Sequence, residues 1–229
     1  MGAGGEDKLN ILAIETSGKS FSLAVSINGK LKQEVFWSTG LNHSEKLVPA
    51  LDKLLKKTKL TVGDIDKIAV STGPGSFTGI RVGLSCARAI AQSMEIPLVG
   101  INTLEILRAG IPLKGDYAVI PAIDALRNEV FVLNKKTGRP EIQAISDFVS
   151  GLRKSKAEVC VAGSAALTYF KELTETLNEK LIFGSDEMNY PRAGILAGLA
   201  DKLKGSKYDR IEPLYIRRSW AEDNSRNKK

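Results

Sequence analysis

Between Leu9 and Thr39 the chain lays down three apolar runs in strand rhythm, and from Asn42 onward the rhythm changes to that of a helix. That switch limits the folds open to the chain more than any other feature. Leu9 to Glu15 is a continuous apolar run. Phe21, Leu23, Val25 and Ile27 alternate with small or polar residues, and Lys30 to Thr39 carries Leu31, Val35, Phe36 and Trp37. Asn28-Gly29 joins the second and third runs, and both residue types tolerate the positive φ of a tight hairpin. With Thr16-Ser-Gly-Lys19 turning the first pair, the opening reads as an antiparallel meander. Asn42 and Glu45 then form a capping box ahead of Leu47, Val48, Leu51, Leu54 and Leu55, with Pro49 removing one backbone bond and predicting a kink near Glu45. A strand at Lys67–Thr72, a helix at about Thr78–Met94 and a strand at Pro97–Ile101 complete the unit.

The second half repeats that order without evident sequence identity. Strands are predicted at Tyr117–Ile123, Glu129–Asn134 and Glu141–Ile145, then a helix at Asp147–Lys154 and a strand at Glu158–Val161. A helix at Ala165–Asn178, a short strand at Leu181–Phe183 and a helix at Arg192–Leu203 close it. Three antiparallel strands followed by helix, strand, helix, strand is the order of a ribonuclease H-like subdomain. The expected fold is therefore α/β, two tandem ribonuclease H-like subdomains, the architecture of the actin-like ATPase superfamily with its sugar kinases and heat-shock chaperones. The expected boundaries are 8–109, 110–216 after the Gly110–Gly115 seam, and a basic flexible tail at 217–229.

Composition narrows the function classes. The 229 residues carry a net charge of +7, which fits an anionic partner without identifying it. Arg217, Arg218, Arg226, Lys228 and Lys229 outweigh Glu222 and Asp223 at the end, as a solubilising segment or as an RNA contact. No run approaches the ~18 apolar residues of a membrane span, and the amino terminus has no basic-then-apolar leader. Two cysteines far apart, Cys86 and Cys160, suit a reducing cytoplasm rather than a disulfide scaffold.

Gly73-Pro-Gly-Ser-Phe-Thr-Gly79 leaves a strand and enters a helix, with Ser76 or Thr78 as N-cap. Its spacing is neither the dinucleotide fingerprint nor a phosphate loop, so it reads equally as a weak anion cradle or as a turn packing helix on sheet. In the helix that follows, Gly79, Gly83, Ala87 and Ala91 form a small-residue stripe, and Arg81, Ser85, Arg88 and Gln92 a polar one nearly opposite. The non-polar arc of roughly 220° exceeds what one core requires. The helix is expected to bury two sides, either within its own domain or against another subunit.

Ile11-Leu-Ala-Ile-Glu-Thr-Ser17, His43-Ser-Glu45, Gly73 to Gly83, Asp124-Ala-Leu-Arg-Asn-Glu-Val-Phe131 and Pro213-Leu-Tyr-Ile-Arg217 resemble, in this order, the bacterial TsaB (YeaZ) family. The resemblance implies a subunit of the machinery that makes threonylcarbamoyladenosine next to the tRNA anticodon. Its members are non-catalytic relatives of TsaD and pair with it through their first two helices. TsaE joins the pair, and TsaC supplies the threonylcarbamoyl-adenylate that TsaD transfers. On that comparison Leu47, Leu51, Leu54, Gly79, Val82, Gly83 and Ala87 are the interface candidates. The same surface would support a homodimer when the chain is alone, and tRNA would be met indirectly.

The resemblance also implies a degenerate nucleotide cleft made of Glu15, Thr16, Ser17, Gly73, Gly75, Asp124, Gly163 and Ser164. Glu15 stands where the superfamily more often has Asp, Leu126 where the second phosphate loop has Gly, and Ser164 where the adenosine loop has a second Gly. TsaD-type enzymes hold metal with a His-x-x-x-His pair; here His43 is followed by Leu47, and the chain has one histidine. No catalytic residue and no metal ligand are expected. No cofactor of its own is expected either, ATP and a metal belonging to partner subunits. His43 reads as a surface or interface contact, and a peptidase lacks the groups it would need. The rival readings are an ATP-dependent kinase or phosphotransferase using Glu15 and Asp124, and a stand-alone tRNA-binding protein. Trp37 and Trp220 have no assignable role.

Overall fold

The computed structural model describes residues 9–37, 43–112, 116–182 and 184–216. The first sheet contains β1 (Asn10–Glu15), β2 (Phe21–Ile27), β3 (Lys30–Trp37), β4 (Lys67–Ser71) and β5 (Leu98–Ile101), ordered β3-β2-β1-β4-β5. The second contains β6 (Tyr117–Asp124), β7 (Glu129–Leu133), β8 (Pro140–Ala144), β9 (Glu158–Ala162) and β10 (Leu181–Ile182), ordered β10-β9-β6-β7-β8. Read from the β8 edge, the second sheet has the topology of the first. In each, the opening three strands are antiparallel and the last two join in parallel. The repeat inferred from element order is thus a repeat of pairing as well. Asn28 (φ 50°) and Gly29 (φ 71°) make the predicted hairpin turn.

Every residue of β1 is buried, because both faces of the first sheet are covered. Leu12, Ile14, Leu23, Val25, Ile68 and Val70 face α1 (His43–Thr58) and α2 (Phe77–Ser93). Ile11, Ala13, Ala24, Ala69 and Val99 point the other way, onto Leu196, Ala197 and Ala200 of α7 (Ala193–Asp201). Helix α1 runs continuously through Pro49. The proposed cap Asn42, Lys8 at the start of the first expected subdomain, and the expected tail 217–229 with Trp220 lie outside the described residues.

The expected boundary at residue 110 does not hold for the helices. Helix α3 (Thr103–Ala109), which the strand-and-helix reading missed, follows β5, yet Leu104 and Leu107 pack on Ile123 and Phe131 of the second sheet. Its signal was present: Asn102 caps it, accepting from the Glu105 amide at 2.9 Å. In return α7, placed by the sequence in 110–216, docks on the first sheet. The physical reason lies at its two ends. At the start, Ser22 Oγ accepts from the Ala193 amide (2.7 Å), and Glu34 accepts from the Gly194 amide (3.0 Å) and pairs with Arg192 (3.0 Å). At the finish, the buried Lys67 donates to the carbonyls of Ala200 (3.2 Å) and Leu203 (2.9 Å). A carboxylate at the amino end and an ammonium at the carboxyl end both match the helix dipole.

The second sheet is covered on one face by α4 (Ile145–Arg153), α5 (Ser164–Thr168) and α6 (Phe170–Leu177) through Phe148, Leu152, Ala165 and Leu173. The single helix expected at 165–178 is broken at Tyr169, which is buried and adopts φ −109°, ψ 29°.

Replacing Glu34 by Ala removes the dipole-matched contact and leaves Arg192, already half withdrawn from water, without its partner. The expected loss is about 2–3 kcal/mol of unfolding free energy, read as a lower urea midpoint at unchanged slope.

Candidate functional site

The residues expected in a nucleotide cleft form two groups, each held inside its own subdomain. The first is the turn after β1. Thr16 Oγ1 donates to the Gly79 carbonyl (2.8 Å), and the Ser76 amide donates to the Ser17 carbonyl (2.7 Å). Ser76 is the N-cap of α2, accepting from the Gly79 amide at 3.2 Å. A side chain at Gly75 would collide with Ser17 O, at Gly79 with Thr16 O and at Gly83 with Thr16 Oγ1. Gly73 and Gly75 also hold positive φ, 104° and 155°. The glycine motif is therefore the means by which the start of α2 lies directly on the Glu15-Thr16-Ser17 turn. Of its two sequence readings, the geometry is that of the turn packing helix on sheet.

Glu15 is 1% exposed, and its Oε1 accepts from both the amide and the hydroxyl of Ser17, each at 2.6 Å. Burial raises its pKa above the ordinary carboxylate value, outweighing the opposing pull of hydrogen bonds from Ser17 and Ser71. The carboxyl is thus held in the interior, with the Ser17 amide committed to its Oε1.

The second group centres on Asp124. Its carboxylate accepts from the Leu126 amide (2.8 Å), the Thr168 hydroxyl (3.2 Å) and the Tyr169 hydroxyl (3.2 Å), while its own amide donates to Ser164 Oγ (3.0 Å). Burial first, then the Asp124 charge and hydrogen bond, raise the Tyr169 phenol. Gly163 has φ 113°, and a side chain there would run into the Ala122 carbonyl. Ser164 thus ties the turn after β6 to the start of α5. Leu126, Arg127 and Asn128 all have φ between 56° and 61°, so the loop that usually carries Gly here reaches left-handed backbone without one.

The expected partner face needs correction. Leu47, Leu51, Leu54, Gly79, Gly83 and Ala87 are buried in the first subdomain, and only Val82 is half-exposed. The small-residue stripe of α2 is spent on Thr16 and the sheet, where no second helix can reach it. What the helix pair offers to solvent is a shallow groove lined by Ser44, Leu47, Val48, Arg81, Val82, Ser85 and Cys86, so that of the expected interface residues Leu47 and Val82 do reach it, with Val48 61% exposed. Burial raises the Cys86 thiol, which keeps it out of thiolate chemistry.

His43 is also corrected. It is buried rather than superficial, with Nε2 3.2 Å from the Ser20 carbonyl and its ring tilted on Phe21, which stacks on Trp37 at 4.6 Å. Trp37 thereby gains a role, closing the first core beside α1. Among the described residues no three His, Cys, Asp or Glu side chains gather as metal ligands.

Sequence reasoning gave residues 211–216 no structural role. After a 3-10 turn at Tyr208–Arg210, residues 211–216 return across the first subdomain. The Leu214 amide donates to the Thr72 carbonyl (2.7 Å), Arg88 donates to the Ile211 carbonyl, and Arg81 Nε donates to the Tyr215 hydroxyl (2.9 Å). The arginines of the polar stripe on α2 were the available signal.

Two five-stranded sheets of one topology define the class: an α/β fold of the actin-like ATPase type. A solved structure described as a component of (R)-2-hydroxyglutaryl-CoA dehydratase from Acidaminococcus fermentans shares the fold at a TM-score of 0.50 and 13% identity, over 85% of this chain and 98% of that one. YeaZ from Pseudomonas aeruginosa matches at a TM-score of 0.71 and 22% identity, over 90% of this chain and 99% of that one. In sequence, residues 38–151 match the family model of TsaD, tRNA N6-adenosine threonylcarbamoyltransferase. The tRNA threonylcarbamoyladenosine biosynthesis protein TsaB of Bacillus subtilis is 28% identical over 93% of this chain and 96% of its own length. Its Escherichia coli counterpart is 33% identical over 54% of this chain and 53% of its own. The chain is thus similar to TsaB from one end to the other.

Two outcomes follow from the packing. An exposed helical Gly gains about 1 kcal/mol on becoming Ala. Gly79→Ala and Gly83→Ala should instead lose about 1–3 kcal/mol through overpacking. Thr16→Ala should restore part of the loss at Gly83 but none at Gly79, where the obstacle is backbone; urea unfolding of the single and double variants decides it. Because burial holds the folded Glu15 carboxyl above its unfolded value, its stabilising protonated form is lost as pH rises from the ordinary carboxylate range through the raised folded one. Glu15→Gln should therefore match the parent in acid and exceed it increasingly toward neutrality, measured as unfolding free energy across pH 4 to 8.

Proposed function

We propose that this chain is the TsaB-type subunit of the machinery that installs the threonylcarbamoyl group on adenosine in tRNA, acting as a non-catalytic partner of TsaD. The observation that carries the reading is the end-to-end match to the TsaB proteins, 96% of the Bacillus subtilis protein being covered.

The site geometry supports the non-catalytic part. A bound nucleotide would need free amides at the first turn and an open carboxylate at the second. The Ser17 amide is committed to Glu15, and Asp124 already accepts from Leu126, Thr168 and Tyr169. The residues present do not fit an ATP–metal site, so no cofactor of its own is assigned, and ATP and metal belong to the partners. The lone histidine is held in the core against Ser20 and Phe21, a poor position for a general base in peptide hydrolysis. Among the described residues no helix is long and apolar enough to cross a membrane.

TsaD docks, on this reading, across the groove between α1 and α2. Both helices lie within the segment that itself resembles TsaD, so related surfaces can meet about a pseudo-twofold axis. The same groove serves self-association when TsaD is absent. TsaE joins the pair, TsaC acts upstream of it, and tRNA is met through the complex in the cytoplasm.

The test uses size-exclusion chromatography with light scattering on this protein and the TsaD of its own organism. A one-to-one complex is expected. Val48→Asp should weaken it at least tenfold while moving stability by less than about 0.5 kcal/mol, since Val48 is exposed. No association with or without TsaE and nucleotide would overturn the reading, and micromolar ATP binding by the isolated chain would move it to the kinase class. Bulk at Gly83 is unsuitable as a probe, because it strikes Thr16 before it could reach a partner.

A further inference from the structure

The carboxyl-terminal strap, residues 211–216, is built into the first subdomain at visible structural expense. A side chain at Gly100 would lie 2.6 Å from Ile211 Cγ2, and one at Gly73 would lie 3.1 Å from the Leu214 carbonyl oxygen. Both positions leave room for the strap. Arg88 and Thr72 hold its backbone, and Ile216 packs against the cluster of Leu104, Leu107 and Ile123.

The consequence is the placement of one ring. Tyr215 lies 5.0 Å from the Phe77 ring at an interplanar angle of 34°, and its hydroxyl accepts from Arg81. The Arg81 guanidinium in turn covers Phe77 at 3.8 Å. Despite these contacts Phe77 remains 39% and Tyr215 42% exposed. Two large rings and a guanidinium are thus ordered in advance with open faces, and the entropy of ordering them is already spent before any partner arrives. Arg81 also borders the groove between α1 and α2, which makes the aromatic cluster and the groove one continuous surface. Among the described residues the cluster sets two aromatic rings around one arginine beside an exposed valine, a composition enriched at protein contacts.

We propose that Phe77, Arg81 and Tyr215 form the second half of the docking surface, with the strap supplying the tyrosine that the TsaD-type partner covers. This rests on the reading of the α1–α2 groove given above, and its occupant is the same partner.

The experiment titrates labelled TsaD with wild type, Tyr215→Ala, Phe77→Ala and Val48→Asp, with circular dichroism melts in parallel. Tyr215→Ala and Phe77→Ala should each weaken the complex about ten- to thirtyfold, while Tyr215→Phe, which keeps the ring, stays within about threefold. Binding within twofold of wild type for both alanine variants, with Val48→Asp still disruptive, would overturn the strap proposal and leave the groove reading intact. No complex with wild type would overturn both. If Tyr215→Ala melts early, Phe77→Ala alone decides, since its ring comes from α2 and not from the strap. Unchanged TsaD affinity together with lost tRNA retention on a filter would assign the cluster to RNA and overturn the proposal.

Discussion

The rest of the first subdomain depends on the contact between the start of α2 and the turn after β1. Four glycines line the approach, and three of them have no room for even a methyl group against Thr16 or Ser17. The close approach lets the Thr16 hydroxyl and the Ser17 carbonyl bond to the α2 segment, and it brings Glu15 into a site where only Ser17 and Ser71 can answer its charge. In an enzyme of this architecture that turn would be kept open for phosphate. Here the start of α2 packs directly on it.

The two subdomains are joined by more than their seam. Helix α3 leaves the first sheet to cover the second, and α7 returns from the second half to cover the first. Residues 211–216 make the crossing again, from Arg88 and Thr72 to the cluster around Ile123. Each exchange buries apolar area that a separate half would leave wet. The groove between α1 and α2 and the aromatic cluster meet at Arg81.

Much of the fold was legible because its signals are local. Alternation marks β2, Asn28-Gly29 marks the hairpin, and the change of period marks α1. The order of elements was enough to pair the sheets, since right-handed crossovers leave few arrangements for a meander followed by two parallel strands. Glu15 and Asp124 stand at the ends of β1 and β6, and Ser164 at the start of α5. Their roles were harder to read. The Gly79–Gly83 spacing describes a face stripped of side chains, and such a face admits a foreign helix, a phosphate or the chain's own backbone equally well. His43 misled for the same reason, since nothing in its neighbours announces Phe21 and Ser20 across the sheet.

By itself, then, the sequence determined the elements, their order, the duplicated topology and the similarity to TsaB, all of which depend on short-range pattern or on direct comparison of residues. Only the tertiary structure decided which sheet α3 and α7 would cover, whether the glycine face would look inward, and where residues 211–216 would lie. Those outcomes are set by pairs far apart in the chain: Glu34 with Arg192, Lys67 with Leu203, Thr16 with Gly79, Arg81 with Tyr215. No window of sequence contains both members of such a pair, and the energy that selects them exists only once the chain has folded back on itself.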